Sequence, residues 1–386
     1  MHSEASMSEA ERVVIVGAGP AGLSTAAALS RQGVDALVLD RDDRIGGSWA
    51  RRYERLHLHT IRRFSGLAHR RIPRQFPRYL SKDDYASYLV GYADRFRLRV
   101  SLGEIVTAVR PLEHWEPSWA IETSRRTLSS EVVVIATGHY ATPSVPAWDG
   151  IDEFRGRLLH SSEYRTGREF AGRTALVVGL GNSGAEIATD LVEQGAASVA
   201  VAVRTTPPIV TRELFGVVPV QVFGIALMPL GIPDVVDRVG ARLRKRAVGD
   251  LGPYGIGDAA WGPFTARRPA VIDVGFLGVL KAGLVTVRPA LTRLTREGVV
   301  YADGSSEEVD VVVVATGFGT GLASVLRDVP GIVDEHGQPV GRSGKPTAAA
   351  GLYFIGFDET IRGHLFEARR ESKRLARSIA RSLTRT

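Results

Sequence analysis

Uninterrupted runs of four apolar residues stand at positions 13–16, 132–135, 175–178 and 311–314. Apolar residues without polar alternation suit parallel strands covered on both faces. The first run, Val13-Val14-Ile15-Val16, enters a glycine-rich turn, continues into small and apolar residues over 21–30, and reaches a second apolar stretch at 34–39. That order predicts strand, tight turn, helix and strand, which is one βαβ unit. The same order begins again at Arg173, with a strand at 175–178, a turn at 179–184, a helix at 185–194 and a strand at 198–203. The remaining two runs both end in Ala-Thr-Gly, as Ala136-Thr137-Gly138 and Ala315-Thr316-Gly317. A nucleotide-binding device is therefore present twice.

Between the first unit and residue 132 the pattern predicts a helix over 82–96 and a meander over 105–123. After the second unit come a long apolar helical region, 219–248, a Gly/Pro-rich loop, 249–269, and a short helix, 275–282. A last strand at 352–355 ends at Gly356 and leads to a final helix. On that helix Arg370, Lys373, Arg374, Arg377 and Arg381 recur opposite Leu375 and Ile379, a solvated basic face with a weaker alternative as a membrane-surface contact. The expected fold is α/β, with two Rossmann-like dinucleotide-binding domains (FAD and NADPH), the second inserted into the first. The expected boundaries are 1–160 and 290–386 for the FAD domain and 161–289 for the NADPH domain.

With 386 residues the chain exceeds the roughly 250 to 300 at which one core stops growing, so two domains are expected. Hydrophobic residues make up 44% and charges are intermixed, which excludes a disordered or fibrous chain. There is no cysteine, so disulfides, thiolate metal sites and a dithiol redox relay are all excluded. No metal site is expected. The first ten residues, polar and acidic, read as a frayed arm and not as a secretory signal. The most apolar stretch, 217–232, contains Pro219, Gln221 and Pro229 and falls short of the ~20 residues of a membrane span. A cytoplasmic enzyme is expected. The net charge of +7 favours phosphates and acidic ligands, but no reader motif or aromatic-rich basic groove points to nucleic acid.

In Gly17-Ala18-Gly19-Pro20-Ala21-Gly22 the first glycine makes the turn, the second admits a pyrophosphate and the third lets helix pack on strand. Asp40 follows 18 residues after Gly22, near the roughly 20 expected of a ribose-binding acid, with Arg41 beside it. Downstream, Gly46-Gly47-Ser48-Trp49 suggests a second close backbone approach, with Trp49 as a flat wall. Gly179-Leu180-Gly181-Asn182-Ser183-Gly184 repeats the device, yet Arg204 stands where Asp40 stood. A carboxylate there repels a ribose 2′-phosphate, whereas a guanidinium pairs with it, so NADPH is favoured over NADH, assisted by Thr205. Two nucleotide sites imply hydride transfer to a flavin, and without cysteines oxygen is the acceptor that requires no further protein redox group.

The segment Phe154-Arg155-Gly156-Arg157-Leu158-Leu159-His160-Ser161-Ser162-Glu163-Tyr164-Arg165 resembles the fingerprint of class B flavin-containing monooxygenases. Arg55-Leu56-His57-Leu58-His59, Gly181-Asn182-Ser183-Gly184-Ala185-Glu186, Ile272-Asp273-Val274-Gly275 and Gly351-Leu352-Tyr353-Phe354-Ile355-Gly356-Phe357 look like the YUCCA-type indole-3-pyruvate monooxygenases. The resemblance implies that NADPH reduces FAD, that oxygen adds at flavin C4a, and that retained NADP⁺ shields the peroxide. It further implies a small organic substrate and a final helix after Gly356 that points its positive end at flavin N1, and Val106, Ala136, Thr137, Gly138, Ala315, Thr316 and Gly317 are further candidate cofactor-binding residues. His59, Thr60 and Asn182 are the candidate catalytic residues, and His160 a positioning residue in the linker.

Many relatives that hydroxylate amines or sulfides carry an Asn beside C4a, but Leu58-His59-Thr60-Ile61-Arg62 has none. That departure tilts the expectation toward attack on a carbonyl or 2-oxo acid. An N-, S- or aromatic-ring hydroxylase is the alternative, and a non-turning redox sensor a second. The region 215–236, with Phe215, and the loop bearing Tyr254, Trp261 and Phe264 are candidates for an aromatic-accepting pocket. Oligomeric state is not readable from the residues.

Overall fold

A computed structural model describes residues 9–112, 119–214, 216–358 and 360–384. The expected frayed arm and Phe215 lie largely or wholly outside them. The first part of the chain runs β1 (Glu9–Val16), α1 (Pro20–Ser30), β2 (Leu37–Leu39), α2 (Gly47–Ala50), α3 (Arg62–Ser65), α4 (Lys82–Phe96), β3 (Arg99–Ser101), β4 (Val106–Pro111), β5 (Trp119–Thr123) and β6 (Thr127–Ile135). These strands form a sheet in the order β3-β2-β1-β6-β5-β4. The side of the sheet from β3 to the C-terminal half of β6 is parallel, and the meander β6-β5-β4 is antiparallel. Val13 to Val16 are all buried, as an apolar run central in a parallel sheet requires.

The chain then passes through β7 (Thr142–Pro143), β8 (Arg157–His160), β9 (Thr174–Val178), α5 (Asn182–Glu193), β10 (Ser198–Ala202), β11 (Ile209–Thr211), the ribbon β12 (Glu213–Leu214) and β13 (Val218–Pro219), and α6 (Val220–Leu227). It continues through α7 (Pro233–Val248), β14 (Val271–Asp273), α8 (Phe276–Lys281), β15 (Thr286–Arg288), the hairpin strands β16 (Leu291–Leu294), β17 (Gly298–Tyr301) and β18 (Ser306–Glu308), and β19 (Val311–Val314). A second, all-parallel sheet has the order β15-β10-β9-β19-β8. After β20 (Phe318–Gly319) and α9 (Leu322–Val325), β21 (Leu352–Phe354) pairs with β6 in the first sheet, and α10 (His364–Leu383) packs on α1.

The expected boundaries at 160 and 290 need correcting. β8, placed by expectation at the end of the first domain, pairs with β19, and β16 through β19, expected in its second part, do not join the first sheet: β19 belongs to the second sheet, and β16, β17 and β18 form a small sheet of their own. Val311 to Val314 are at most 3% exposed because they sit between two strands and under both faces. An all-valine strand needs such cover, but its sequence does not say which sheet supplies it. The crossings lie instead at β7 and β20, which pair with each other. The N–H of Ser144 donates to the Gly317 carbonyl at 3.0 Å, and the Thr316 hydroxyl donates to the Ser144 carbonyl.

The long helical region 219–248 is two helices, separated by Pro229, Gly231 and Pro233, with a short 3₁₀ turn at Met228–Leu230. α10 carries its five cations away from the core, while Leu375 and Ile379 are fully buried. Ser24 on α1 meets Ser372 on α10 at 2.8 Å, and small residues at the crossing allow the close approach. No helix among the described residues is long and apolar enough to cross a membrane.

Candidate active site

The two glycine turns are built alike. Gly17 has φ +111°, and a Cβ there would stand 2.7 Å from the Ala136 carbonyl oxygen; Gly179 has φ +104°, with Ala315 oxygen at 2.8 Å. A Cβ on Gly22 would come within 1.8 Å of Gly17 oxygen, and one on Gly184 within 2.0 Å of Gly179 oxygen. These contacts explain the first and third glycines by packing. Around Gly19 and Gly181 a Cβ would meet nothing within 4 Å, so there the backbone is bare toward open space, as a phosphate requires. Pro20 and Asn182 open helices α1 and α5 directly after those positions.

Asp40 closes the first turn: its carboxylate accepts from the Ala18 N–H at 2.5 Å and the Asp42 N–H at 2.8 Å. Burial pushes its carboxyl above the usual range, and those two donors work against the rise. At the matching place in the second turn, Arg204 and Thr205 are exposed, and Arg204 makes no ion pair among the described residues.

One cavity of about 1230 Å³ runs between the sheets. Its walls include Gly17, Gly19, Pro20, Ala21, Asp40, Arg41, Ser48, Trp49, Val106, Ala136, Thr137, Gly138 and Gly356 from the first sheet's side, and Asn182 and Ser183 from the second. His59 and Thr60 stand on the segment between them. Gly22, Gly47, Gly179, Gly181, Gly184, Arg204, Thr205, Ala315, Thr316 and Gly317 do not line it. Ala315 abuts Gly179 and not the first turn, so the second Ala-Thr-Gly supports the second nucleotide turn. This corrects its expected place in the FAD domain. Trp49 forms a wall while its ring packs edge-on to Tyr85 at 4.7 Å. The final helix begins at His364, eight residues after Gly356, and His364 and Leu365 reach the cavity.

The candidate catalytic side chains are firmly held. His59 Nε2 lies 2.6 Å from Glu186 Oε1, and Glu186, on α5, is 2% exposed. The Thr60 hydroxyl is 2.7 Å from that of Ser65. Asn182 accepts from the Ile272 N–H at 2.7 Å and donates to the Ala270 carbonyl at 3.4 Å, so its amide ties α5 to β14. His160 lies between Ser162 Oγ and the Gly317 carbonyl, each at 2.9 Å, and burial lowers its pKa below the ordinary value. The Tyr164 hydroxyl donates to Asp190 at 2.7 Å, and a Cβ on Gly156 would strike Phe154 and the Asp310 carbonyl. The fingerprint residues therefore hold the second sheet to its linker.

Sequence reasoning missed three groups. Glu186 and Asp190 are acids four apart on the buried face of α5, each taking a partner from outside that helix; acids within an apolar helical stripe were the available signal. Gln221 on α6 is 4% exposed and bridges the first sheet's segments, accepting from the Ile61 N–H at 3.1 Å and donating to the Arg362 carbonyl at 2.8 Å. Arg52 lies over the rings of Tyr140 and Phe318, one from each crossing strand region, at 5.1 and 5.5 Å. Nothing in the local sequence announces either of the last two.

A mixed and an all-parallel sheet, two glycine turns of opposite charge character and a shared cavity define a two-nucleotide oxidoreductase. The family described as pyridine nucleotide-disulphide oxidoreductase matches residues 14–213. The chain is 36% identical over 356 residues to the indole-3-pyruvate monooxygenase YUCCA1 of Oryza sativa subsp. japonica, covering 90% of this chain and 86% of that one. The fold is that of a flavin-containing monooxygenase from Stenotrophomonas maltophilia, at TM-score 0.72 and 21% identity over 97% and 99% of the two chains. It is also that of cyclohexanone monooxygenase from Rhodococcus sp. Phi1 bound to NADP⁺, at TM-score 0.76 and 19% identity over 97% and 85%. The chain belongs to the pyridine nucleotide-disulphide oxidoreductase family and, within it, to the YUCCA-type group of class B flavin monooxygenases. It is a flavoprotein monooxygenase with FAD and NADPH as cofactors, and its sequence contains no cysteine.

Proposed function

We propose that the turn at Gly17, Gly19 and Gly22 holds FAD, that the turn at Gly179, Gly181 and Gly184 holds NADPH, and that the enzyme oxygenates a small carbonyl compound, most simply a 2-oxo acid. The observation that carries this reading is the single cavity that joins the first turn to Asn182 and Ser183 of the second, since a hydride crosses only between rings in contact. The bound flavin, once reduced, supplies the activation of oxygen. Gly19 leaves room for a pyrophosphate at the start of α1, and Asp40 is placed for a ribose. Arg204 is exposed at the place where a 2′-phosphate would pair with it. His59, fixed on Glu186, presents to the cavity an imidazole held in place by a buried carboxylate.

A carbonyl substrate is supported by the absence of Asn from the segment 58–62 and by the largely apolar cavity wall formed by α6 and α7. For a 2-oxo acid the balance is one acid, one O₂, one NADPH and one proton giving the acid shorter by one carbon, CO₂, NADP⁺ and water. The test is purified yellow protein supplied with NADPH, oxygen and an aromatic 2-oxo acid, with CO₂ and the shortened acid measured. Stoichiometric release supports the reading; oxygenation of amines or sulfides with no reaction of oxo acids or ketones overturns it.

A further inference from the structure

Beyond the two turns the cavity extends under α7 and the loop that follows it. Asp237, Gly240, Ala241 and Arg244 share one face of α7. Positions 237 and 244 lie within about 20° of each other around the helix and about 10 Å apart along it. All four line the cavity, and so do Trp261 and Phe264 from the loop. Asp237 holds that loop down: its carboxylate accepts from the Phe264 N–H at 3.0 Å, and from the N–H and hydroxyl of Thr265, both at 2.7 Å. The acid's hydrogen bonds are thereby committed to the loop and not to the arginine on its own face.

Arg244 is half-buried, whereas Arg238, Arg242, Lys245 and Arg246 on the same helix are exposed. Asp258 and Asp237 act on it through space, but among the described residues it makes neither a hydrogen bond nor an ion pair. Burial draws its guanidinium below the ordinary value, against the pull of those two carboxylates. Beside it, Gly240 lies inside a helix, where glycine is unfavourable, and a Cβ there would meet nothing within 4 Å. The space over Gly240 is open, in a cavity whose walls also include Trp261 and Phe264.

We propose that Arg244 receives the carboxylate of the substrate, an acid carrying an aromatic or other flat apolar group that lies between Gly240 and Ala241 on one side and Trp261 and Phe264 on the other. The proposal rests on the 2-oxo acid reading above and adds to it the residue that receives the acid group. A guanidinium pairs equally with a phosphate, so the cofactor's 2′-phosphate is the competing source of the anion.

Calorimetric titration of the FAD-loaded protein with phenylpyruvate, with the neutral ketone phenylacetone and with 2′,5′-ADP separates these cases. R244Q is expected to weaken phenylpyruvate binding by about tenfold or more, the loss of one charge-assisted pair. It should leave phenylacetone and 2′,5′-ADP unchanged, with R244K restoring part of the loss. G240L, which fills the cleft without touching the charge, should weaken both phenylpyruvate and phenylacetone. Unchanged phenylpyruvate binding in R244Q, a loss confined to 2′,5′-ADP, or wild-type protein that binds the acid no better than the ketone would overturn the proposal. Phenylpyruvate that binds through Arg244 but is never oxygenated would instead leave the site standing and remove the carbonyl reading.

Discussion

At the scale of single residues, the glycines of one turn have different work, and substitution separates them. Gly22→Ala places a methyl 1.8 Å from a backbone oxygen, so the helix must move off the strand; protein of low stability without bound flavin is expected. Gly19→Ala meets nothing in the protein and should fold normally while holding FAD less tightly, read by flavin content after gel filtration. Equal stability of the two variants in urea would contradict the assignment. Glu186 is a second such position. Its removal in E186A strands a half-buried imidazole and empties a buried carboxylate site, with an expected loss of about 3 kcal/mol in urea unfolding. His160 gives a pH signature. Its folded value lies below the unfolded value of 6.5, so the unfolded chain takes up the proton first. Stability is full above about pH 6.5 and falls as the pH drops below it, with a slope of at most about 1.4 kcal/mol per pH unit from this group. H160Q should remove that part of the slope, measured by urea titrations of wild type and variant between about pH 7.5 and about pH 5, on either side of the ordinary imidazole value.

At the scale of elements, the legible parts were those whose pattern is local. The buried runs at 13–16 and 175–178, the helices opened by Pro20 and Asn182, and the basic face of α10 follow from apolar period and glycine spacing alone. α4 is announced as well, by Ser81 and Asp84 forming a capping box and by Tyr85, Tyr88 and Tyr92 on one buried face. What stayed hidden was set by partners distant in sequence. The Val311–Val314 strand reads the same whichever sheet receives it, and the pairing of β7 with β20 joins residues far apart in the chain without any shared pattern. The site was legible in the same measure: glycines, Asp40 and Arg204 announce themselves by spacing, while Arg52, Gln221 and Arg244 acquire meaning only when other elements surround them. Gly240 shows the tension at element scale. Gly240→Ala should raise the helical stability of α7 by about 0.5–1 kcal/mol, visible as a higher urea midpoint, because the open space above it is not needed for folding.

At the scale of the whole molecule, one device is used twice with its outer charge reversed. Each copy joins an apolar strand, a bare second glycine, a helix and an Ala-Thr-Gly strand whose alanine abuts the first glycine. On the proposed reading the shared geometry serves phosphate binding in both, so it would not tell the two nucleotides apart. That reading leaves discrimination to the end of the following strand, where one copy has Asp40, committed to the turn, and the other Arg204, exposed and without an ion pair among the described residues. A single pair of charge-assisted hydrogen bonds from Arg204 to a 2′-phosphate contributes about 1.5–3 kcal/mol, or about ten- to a hundredfold in affinity. Arg204→Ala should therefore lower kcat/KM for NADPH by that factor, chiefly through KM, and leave kcat/KM for NADH nearly unchanged. Arg204→Asp should go further and invert the preference, since it recreates in the second copy the acid that the first copy carries. A rate of flavin reduction by NADPH that is insensitive to both changes would move 2′-phosphate recognition to other cations and leave Arg204 a surface residue.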